Sequence, residues 1–298
     1  MSDHLAVEVN DVKKSFEKFT LGPVNLTLEK GFSLGIAGAN GSGKSTLFRL
    51  LVNILQADEG TIHFFGKSTV ASESQHKQNI GFSGELVEAF SHLTIKELAS
   101  YISYWYPKWD HEKYSYFLRR YLIDEKEKFG KCSKGTKKKV EFIFSLSHNP
   151  DLLLLDEPSA GVDINSQKKM KEDLVAFMEY EGKCLVIATH NVAEIESLCD
   201  FIAVLHNGSL LYHDNKDSFY EHWAWLWVDN VPESILTHPN TLKITHSSPI
   251  QILTDNVQAI ENELLQESTT PLQVQRLSIE ELIVYFSENE GATQTESF

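Results

Sequence analysis

Apolar positions recur along the chain with different spacings, and each spacing predicts a different element. From residue 5 to 28, apolar and polar residues alternate in short stretches, Leu5-Ala6-Val7-Glu8-Val9 and Val24-Asn25-Leu26-Thr27-Leu28, with turn chemistry at Gly22-Pro23 and Lys30-Gly31. This alternation predicts antiparallel strands. Nearly continuous apolar runs follow at residues 32–37, at 152–155 after the break at Asn149-Pro150, and at 184–189. Such runs suit strands of a parallel sheet, buried on both faces. Residues 60–66 and 80–83 read as further strands, and residues 201–205 and 209–212 as a pair around the hairpin signal Asn207-Gly208.

Helical spacing begins at Thr46-Leu47-Phe48-Arg49-Leu50-Leu51. A long helical tract is expected from Thr94, which has capping-box spacing with Glu97 ahead of Leu98 and Ile102. It takes in Tyr101, Tyr104, Trp105, Tyr106 and Trp109, an aromatic cluster that is either the core of a small helical subdomain or a docking surface for a partner. Ser133 is a fit N-cap for another helix, through Val140, Phe142, Ile143, Phe144 and Leu146. The lysines before and within its start are either a solvated face or the surround of another phosphate site. Beyond Asp214 the pattern changes to strand-like residues 225–228, 241–245 and 250–253 and a helical stretch at 278–286, with a polar tail after Ser287 expected to fray. No catalytic constellation falls in that second region.

Composition narrows the function classes. The chain has 298 residues and a net charge of −15, a balance that argues against a nucleic-acid or anionic-membrane surface because phosphates are repelled. Its three cysteines, Cys132, Cys184 and Cys199, have neither disulfide-framework nor metal-site spacing, and a reducing cytosol fits them best. Neither a signal segment nor an apolar run of the roughly 18 to 20 residues that span a bilayer is found. Work at a membrane therefore implies a partner that holds the chain there.

The chemistry begins with Gly38-Ala39-Asn40-Gly41-Ser42-Gly43-Lys44-Ser45, followed by Thr46, a phosphate-loop pattern in its required place between a buried strand and a helix. The glycines let the backbone turn and bring N–H groups to a phosphate chain, with the positive end of the helix behind them. Lys44 then reaches the terminal phosphates and the Ser45 hydroxyl is a Mg²⁺ ligand. Four leucines lead to Asp156-Glu157-Pro158, so both carboxylates fall at the C-terminal end of a buried strand, where open α/β sheets bind ligands. Asp156 suits the Mg²⁺ shell and Glu157 the polarisation of an attacking water, although two acids after a strand also start ordinary turns. His190 ends the next apolar strand on the same side, within reach of a γ-phosphate. Phe16 reads first as core and second as a base-stacking ring, since buried aromatics are the commoner kind.

In sequence order, Phe16, residues 38–45, Glu85, residues 132–136, Asp156-Glu157, residues 159–163 and His190 match the motifs of the ATP-binding-cassette ATPases, a resemblance covering about residues 5–213. It implies an α/β phosphate-loop NTPase core over residues 1–213, with antiparallel and helical subdomains, the latter about 86–148, and a small α+β appendage at 214–298. It implies that ATP and Mg²⁺ are the cofactors, Phe16 the adenine-stacking ring, Glu85 the Q-loop position near the metal, Asp156 the Walker B aspartate, Glu157 the catalytic base, Asp163 the D-loop acid and His190 the switch histidine. Ser133, Lys134 and Gly135 are by resemblance the signature that covers the ATP of a second cassette. Residues 106–110, 147–150 and 277–286 look like those of ATPase subunits of bacterial ABC-2-type exporters, in the YtrB-like branch, whose relatives include exporters of antimicrobial and phenol-soluble peptides. Glu85, Cys132 and Thr136 depart from the usual Gln, Leu, and Gln or Met; Glu85 keeps an oxygen ligand but adds charge. The expectation is an exporter ATPase on the inner face of the cell membrane, paired with a second cassette and a membrane permease. The alternatives are a soluble cassette acting on nucleic acid or ribosomes, and a non-hydrolysing regulatory cassette.

Overall fold

The computed structural model describes residues 4–68, 77–84 and 87–289, the side chains of 87 and 88 excepted. The early alternation forms β1 (Leu5–Ser15) and β2 (Thr20–Glu29), paired antiparallel, with Val7, Val9, Leu26 and Leu28 turned into the core. The reversal falls between these strands, not at Gly22-Pro23. That pair lies inside β2, opposite register shifts of β1 around Val12, so the strand bends through an irregularity rather than turning back. β3 (Ser33–Ala37) is buried along its whole length and leads through the phosphate-loop motif into α1 (Lys44–Leu51). β4 (Glu59–Phe64) and β5 (Lys67–Ser68) complete an antiparallel sheet of order β2-β1-β4-β5.

Next come β6 (Ile80–Ser83), α2 (Ile95–Trp105), α3 (His111–Arg120) and α4 (Lys134–Ser147). The capping box of Thr94 and Glu97 opens α2 as expected. The tract is broken, however, because Tyr106 precedes Pro107 and takes an extended conformation, as residues before proline do, so Tyr106 and Trp109 lie outside the helix. The aromatic cluster divides accordingly. Tyr101, Tyr104 and Trp105 are exposed, whereas Tyr106 packs on His148 and Trp109 on Tyr114 and Phe144.

The rest of this unit is β7 (Leu152–Asp156), α5 (Ile164–Met178), β8 (Cys184–Ala188), α6 (Val192–Leu198), β9 (Phe201–His206) and β10 (Ser209–Asn215). A six-stranded sheet results, in the order β10-β9-β3-β8-β7-β6, with the pairs from β9 to β6 all parallel. The register brings the strand ends level. Ile36 and Asp156 both pair with Ala188, so the residues that follow β3, β7 and β8 leave the sheet at one edge.

The chain divides after His213 into two compact units. The second contains α7 (Lys216–His222), β11 (Ala224–Val228), α8 (Glu233–Leu236), β12 (Thr241–Thr245), β13 (Ile250–Thr254), α9 (Val257–Gln266), β14 (Gln273–Arg276) and α10 (Ile279–Glu288). Its sheet runs β12-β13-β11-β14 and has its own core, in which Leu226 and Ile252 meet Ile260 and Leu264. Residues 290–298, most of the polar tail, lie outside the described residues. Among the described residues no helix is long and apolar enough to cross a membrane.

Candidate active site

The loop from Gly38 to Gly43 leaves β3 at that shared edge. Gly38 has φ 157°, and a Cβ there would stand 2.2 Å from the Leu205 carbonyl oxygen, so no side chain fits. Gly43 caps α1 in a left-handed conformation without any side-chain acceptor, and the first turn holds no acid. The helix therefore keeps its positive end for an anion. Ala39, Asn40, Gly41 and Ser42 complete the loop, and Thr46 lies in the first turn of α1. Lys44 folds back over it: its Nζ donates to the carbonyls of Gly38 at 2.6 Å and Ala39 at 3.1 Å. Burial pushes the Lys44 pKa below the ordinary amine value, against the pull of the Glu157 and Asp156 carboxylates.

The acidic end of β7 faces this loop. Lys44 Nζ is 3.7 Å from Glu157 Oε1, and His190 Nδ1 donates to Glu157 Oε2 at 2.7 Å. Asn40, Ser45, Asp156, Glu157 and His190 line one cavity of about 250 Å³. Sequence positions more than a hundred residues apart thus meet at one cavity. Burial raises the Asp156 pKa, opposed by a hydrogen bond with Ser45 and by the Lys138 ammonium. Asp156 Oδ1 is buried with no hydrogen-bond donor among the described residues. An orphaned carboxylate oxygen beside a hydroxyl is a donor set that fits Mg²⁺. No group of three or more His, Cys, Asp or Glu side chains is placed to hold a metal among the described residues. A Mg²⁺ ion held by one carboxylate and one hydroxyl would fill its remaining positions with phosphate and water oxygens.

α4 closes one wall. Ser133 caps it, accepting from the Thr136 N–H at 3.1 Å, and Lys134 lines the cavity of its own chain. Gly135 lies against the backbone of Gly161, where an added Cβ would be 2.3 Å from the carbonyl oxygen. Asp163 caps α5 through the Ser166 N–H at 2.9 Å and pairs with Lys139 at 3.5 Å, outside the cavity. Phe16 is 44% exposed and stacks on Phe19, which touches the Cβ position of Gly43. That overturns its reading as core, because the ring sits past the end of β1, where no second layer covers it. Glu85 lies outside the described residues. Three cavity residues were not singled out as site residues from the sequence: Arg49, Phe82 and Lys138, the last buried among the lysines of α4.

The ABC transporter family model matches residues 21–160. Similar proteins include the ABC transporter ATP-binding protein NatA of Bacillus subtilis (strain 168), 33% identical over 210 residues, covering 66% of this chain and 82% of that one. Another is the ABC transporter ATP-binding protein YtrB of the same organism, 32% identical over 218 residues, covering 73% of this chain and 74% of that one. A solved ATP-binding subunit of an ABC transporter shares the fold with a TM-score of 0.65 at 22% identity, over 72% of this chain and 91% of its own. The cavity, the fold and these relatives agree: the chain belongs to the ABC transporter family, as an ATP-binding and ATP-hydrolysing subunit with ATP and Mg²⁺ as its cofactors.

Proposed function

We propose that the chain is the motor subunit of an exporter. Two cassettes, alike or related, face head to tail around two nucleotides, and a separate membrane permease carries a peptide or other amphipathic cargo. The observation that carries the reading is the meeting of Asp156, Glu157 and His190 at one cavity, with the Lys44 ammonium 3.7 Å from Glu157. Phosphoryl transfer needs placement and charge neutralisation more than covalent help. The loop N–H groups and Lys44 hold the phosphate chain, while Phe16 offers an exposed ring for the base. Bound Mg²⁺ would neutralise phosphate charge and would be held from this chain by Ser45 and Asp156, with Glu85 given to its shell by the resemblance alone. Glu157 orients the attacking water; its Oε2 is fixed by His190, whose exposed ring has a second nitrogen for the γ-phosphate. Ser133, Lys134 and Gly135 cover the nucleotide of the other cassette, and Asp163 lies at the same dimer face.

Coupling to the permease is supported by an apolar groove of about 710 Å³ lined by Phe82, Leu98, Tyr101, Trp105 and Phe144 among others. A docked permease segment places the protein on the inner membrane face. The net charge of −15 supports protein partners over nucleic acid. Export rests on the resemblance of residues 106–110, 147–150 and 277–286 to ABC-2-type subunits. Glu157→Gln is expected to reduce ATP turnover by about 10²-fold or more while preserving nucleotide binding; wild-type turnover in a variant that still dimerises refutes the role. Direction is tested in proteoliposomes with the co-isolated permease and the ATPase side outward. Cargo accumulating inside on addition of ATP marks export, and ATP-driven loss of preloaded cargo marks import.

A further inference from the structure

We propose that Lys138 is a positioning residue for Glu157, holding the peptide group from which that carboxylate projects. The inference deepens the proposed function and rests on its reading of Glu157. Lys138 stands one turn beyond Lys134 on α4 and is 6% exposed. Its Nζ donates to the main-chain carbonyl of Asp156 at 2.9 Å and lies 3.9 Å from Glu141 Oε2. Neighbouring lysines are engaged elsewhere, Lys137 over the Phe129 ring and Lys139 at Asp163. Lys137, Lys138 and Lys139 are therefore not a plain solvated face.

The carbonyl of Asp156 and the N–H of Glu157 belong to one peptide group. Lys138 takes the first, and the Ala188 carbonyl accepts from the second at 2.8 Å, so the group is clamped at both ends. A clamp is needed there. Glu157 has φ 48°, a left-handed conformation that a non-glycine residue keeps only when its surroundings impose it. A buried ammonium is a poor device for stability alone, since an apolar residue of similar size in its place is often neutral or better. Its distinct contribution is direction. It fixes the rotation of the peptide plane and hence the line along which the Glu157 side chain leaves β7.

α4 reinforces this role. Gly135 touches Gly161, and Lys139 holds Asp163, so the same helix brackets the loop from Asp156 to Asp163 at its start, middle and end. A shift of the helix that carries Ser133 to Gly135 must move the peptide that aims Glu157.

The full-length protein with K138M, K138Q and K138R tests the proposal. K138M is expected to lower kcat about tenfold or more with KM for MgATP held within about twofold, as misplacement of a catalytic group does. K138R, which keeps a charged donor, restores most of the rate. Affinity for a fluorescent ATP analogue, with Mg²⁺ and with EDTA, stays within about twofold of wild type in K138M. A readout independent of turnover is hydrogen exchange: the Glu157 amide exchanges roughly tenfold faster in K138M, while those of Leu153 to Leu155 do not change. Unchanged kcat together with unchanged Glu157 exchange overturns the proposal, as does a rate loss fully matched by lost nucleotide affinity. If K138M does not fold, K138Q, a neutral donor, is compared with K138R, and equal kcat and equal Glu157 exchange in the two overturns the need for charge. A wild-type protein that binds the analogue but never hydrolyses ATP refutes the hydrolytic role of Glu157, and the exchange measurement still decides whether Lys138 holds it.

Discussion

His148 shows how a residue's surroundings set its titration. It is 2% exposed, with Nδ1 3.1 Å from the Phe144 carbonyl and Nε2 3.2 Å from the Ile80 carbonyl, and the Tyr106 ring lies against it. Burial dominates over those two acceptors and lowers its pKa from 6.5 to about 4. The folded chain therefore keeps it neutral, whereas the unfolded chain takes up a proton below about pH 6.5. Stability from this group is complete above that pH and is lost as the pH falls towards 4, a total of about 3 kcal/mol by proton linkage. Urea unfolding at pH 7 and pH 4.5 checks this: His148→Gln should show a shallower decline than wild type. The motif residues were legible because a phosphate loop and an acidic strand end are contiguous in sequence, each with its own local chemistry. Lys138 was not, since its partner is a main-chain carbonyl eighteen positions away, and lysine runs carry no mark of which member is buried. Phe16 misled the pattern reading because spacing records polarity, not whether a second layer covers the ring.

At the scale of elements, α3 and α5 are joined by a compact polar network. Tyr121 Oη donates to Asp173 at 2.6 Å, Arg120 Nε to the same carboxylate at 3.0 Å, and an Arg120 terminal nitrogen to Glu172 at 2.7 Å. Burial raises the Tyr121 pKa well above the phenol value, with the Asp173 carboxylate adding to it. Asp173→Ala leaves a buried hydroxyl without its acceptor and an arginine without one of its two acids. We expect a loss of about 2–4 kcal/mol, against about 1 kcal/mol for Tyr121→Phe, both read from denaturant midpoints. Periodicity located β3, β7 and β8 because continuous apolar runs admit little else in a chain with this motif order. It failed at Pro107, where the local rule for residues before proline outranked the apolar spacing of the tract. It also passed over β14, whose Gln273-Val274-Gln275-Arg276 is exposed throughout and held by main-chain pairing with β11, a force that leaves no trace in side-chain polarity.

For the whole molecule, the division after His213 gives each unit its own sheet and core. We propose that residues 214–298 stabilise the dimer. Removing them should leave a folded cassette, because the first unit's core is drawn from residues before 206, and should weaken ATP-dependent dimerisation of the Glu157→Gln variant by about tenfold, measured by sedimentation. Undiminished dimerisation rules that role out. The α/β core was legible as a whole because each buried strand and each motif supports the other; the purpose of the second unit was not, because nothing in its sequence carries chemistry. One detail of the register reaches furthest. Ala188 neighbours both Ile36 and Asp156, so β8 serves as a common ruler for the glycine bend and the acid. One extra residue within that strand would throw both out of alignment together and turn its side chains to the opposite face, whereas the same insertion in the turn before Cys184 is absorbed outside the sheet. Tolerance to length change should thus fall abruptly where β8 begins, even though no residue of that strand needs to touch the nucleotide.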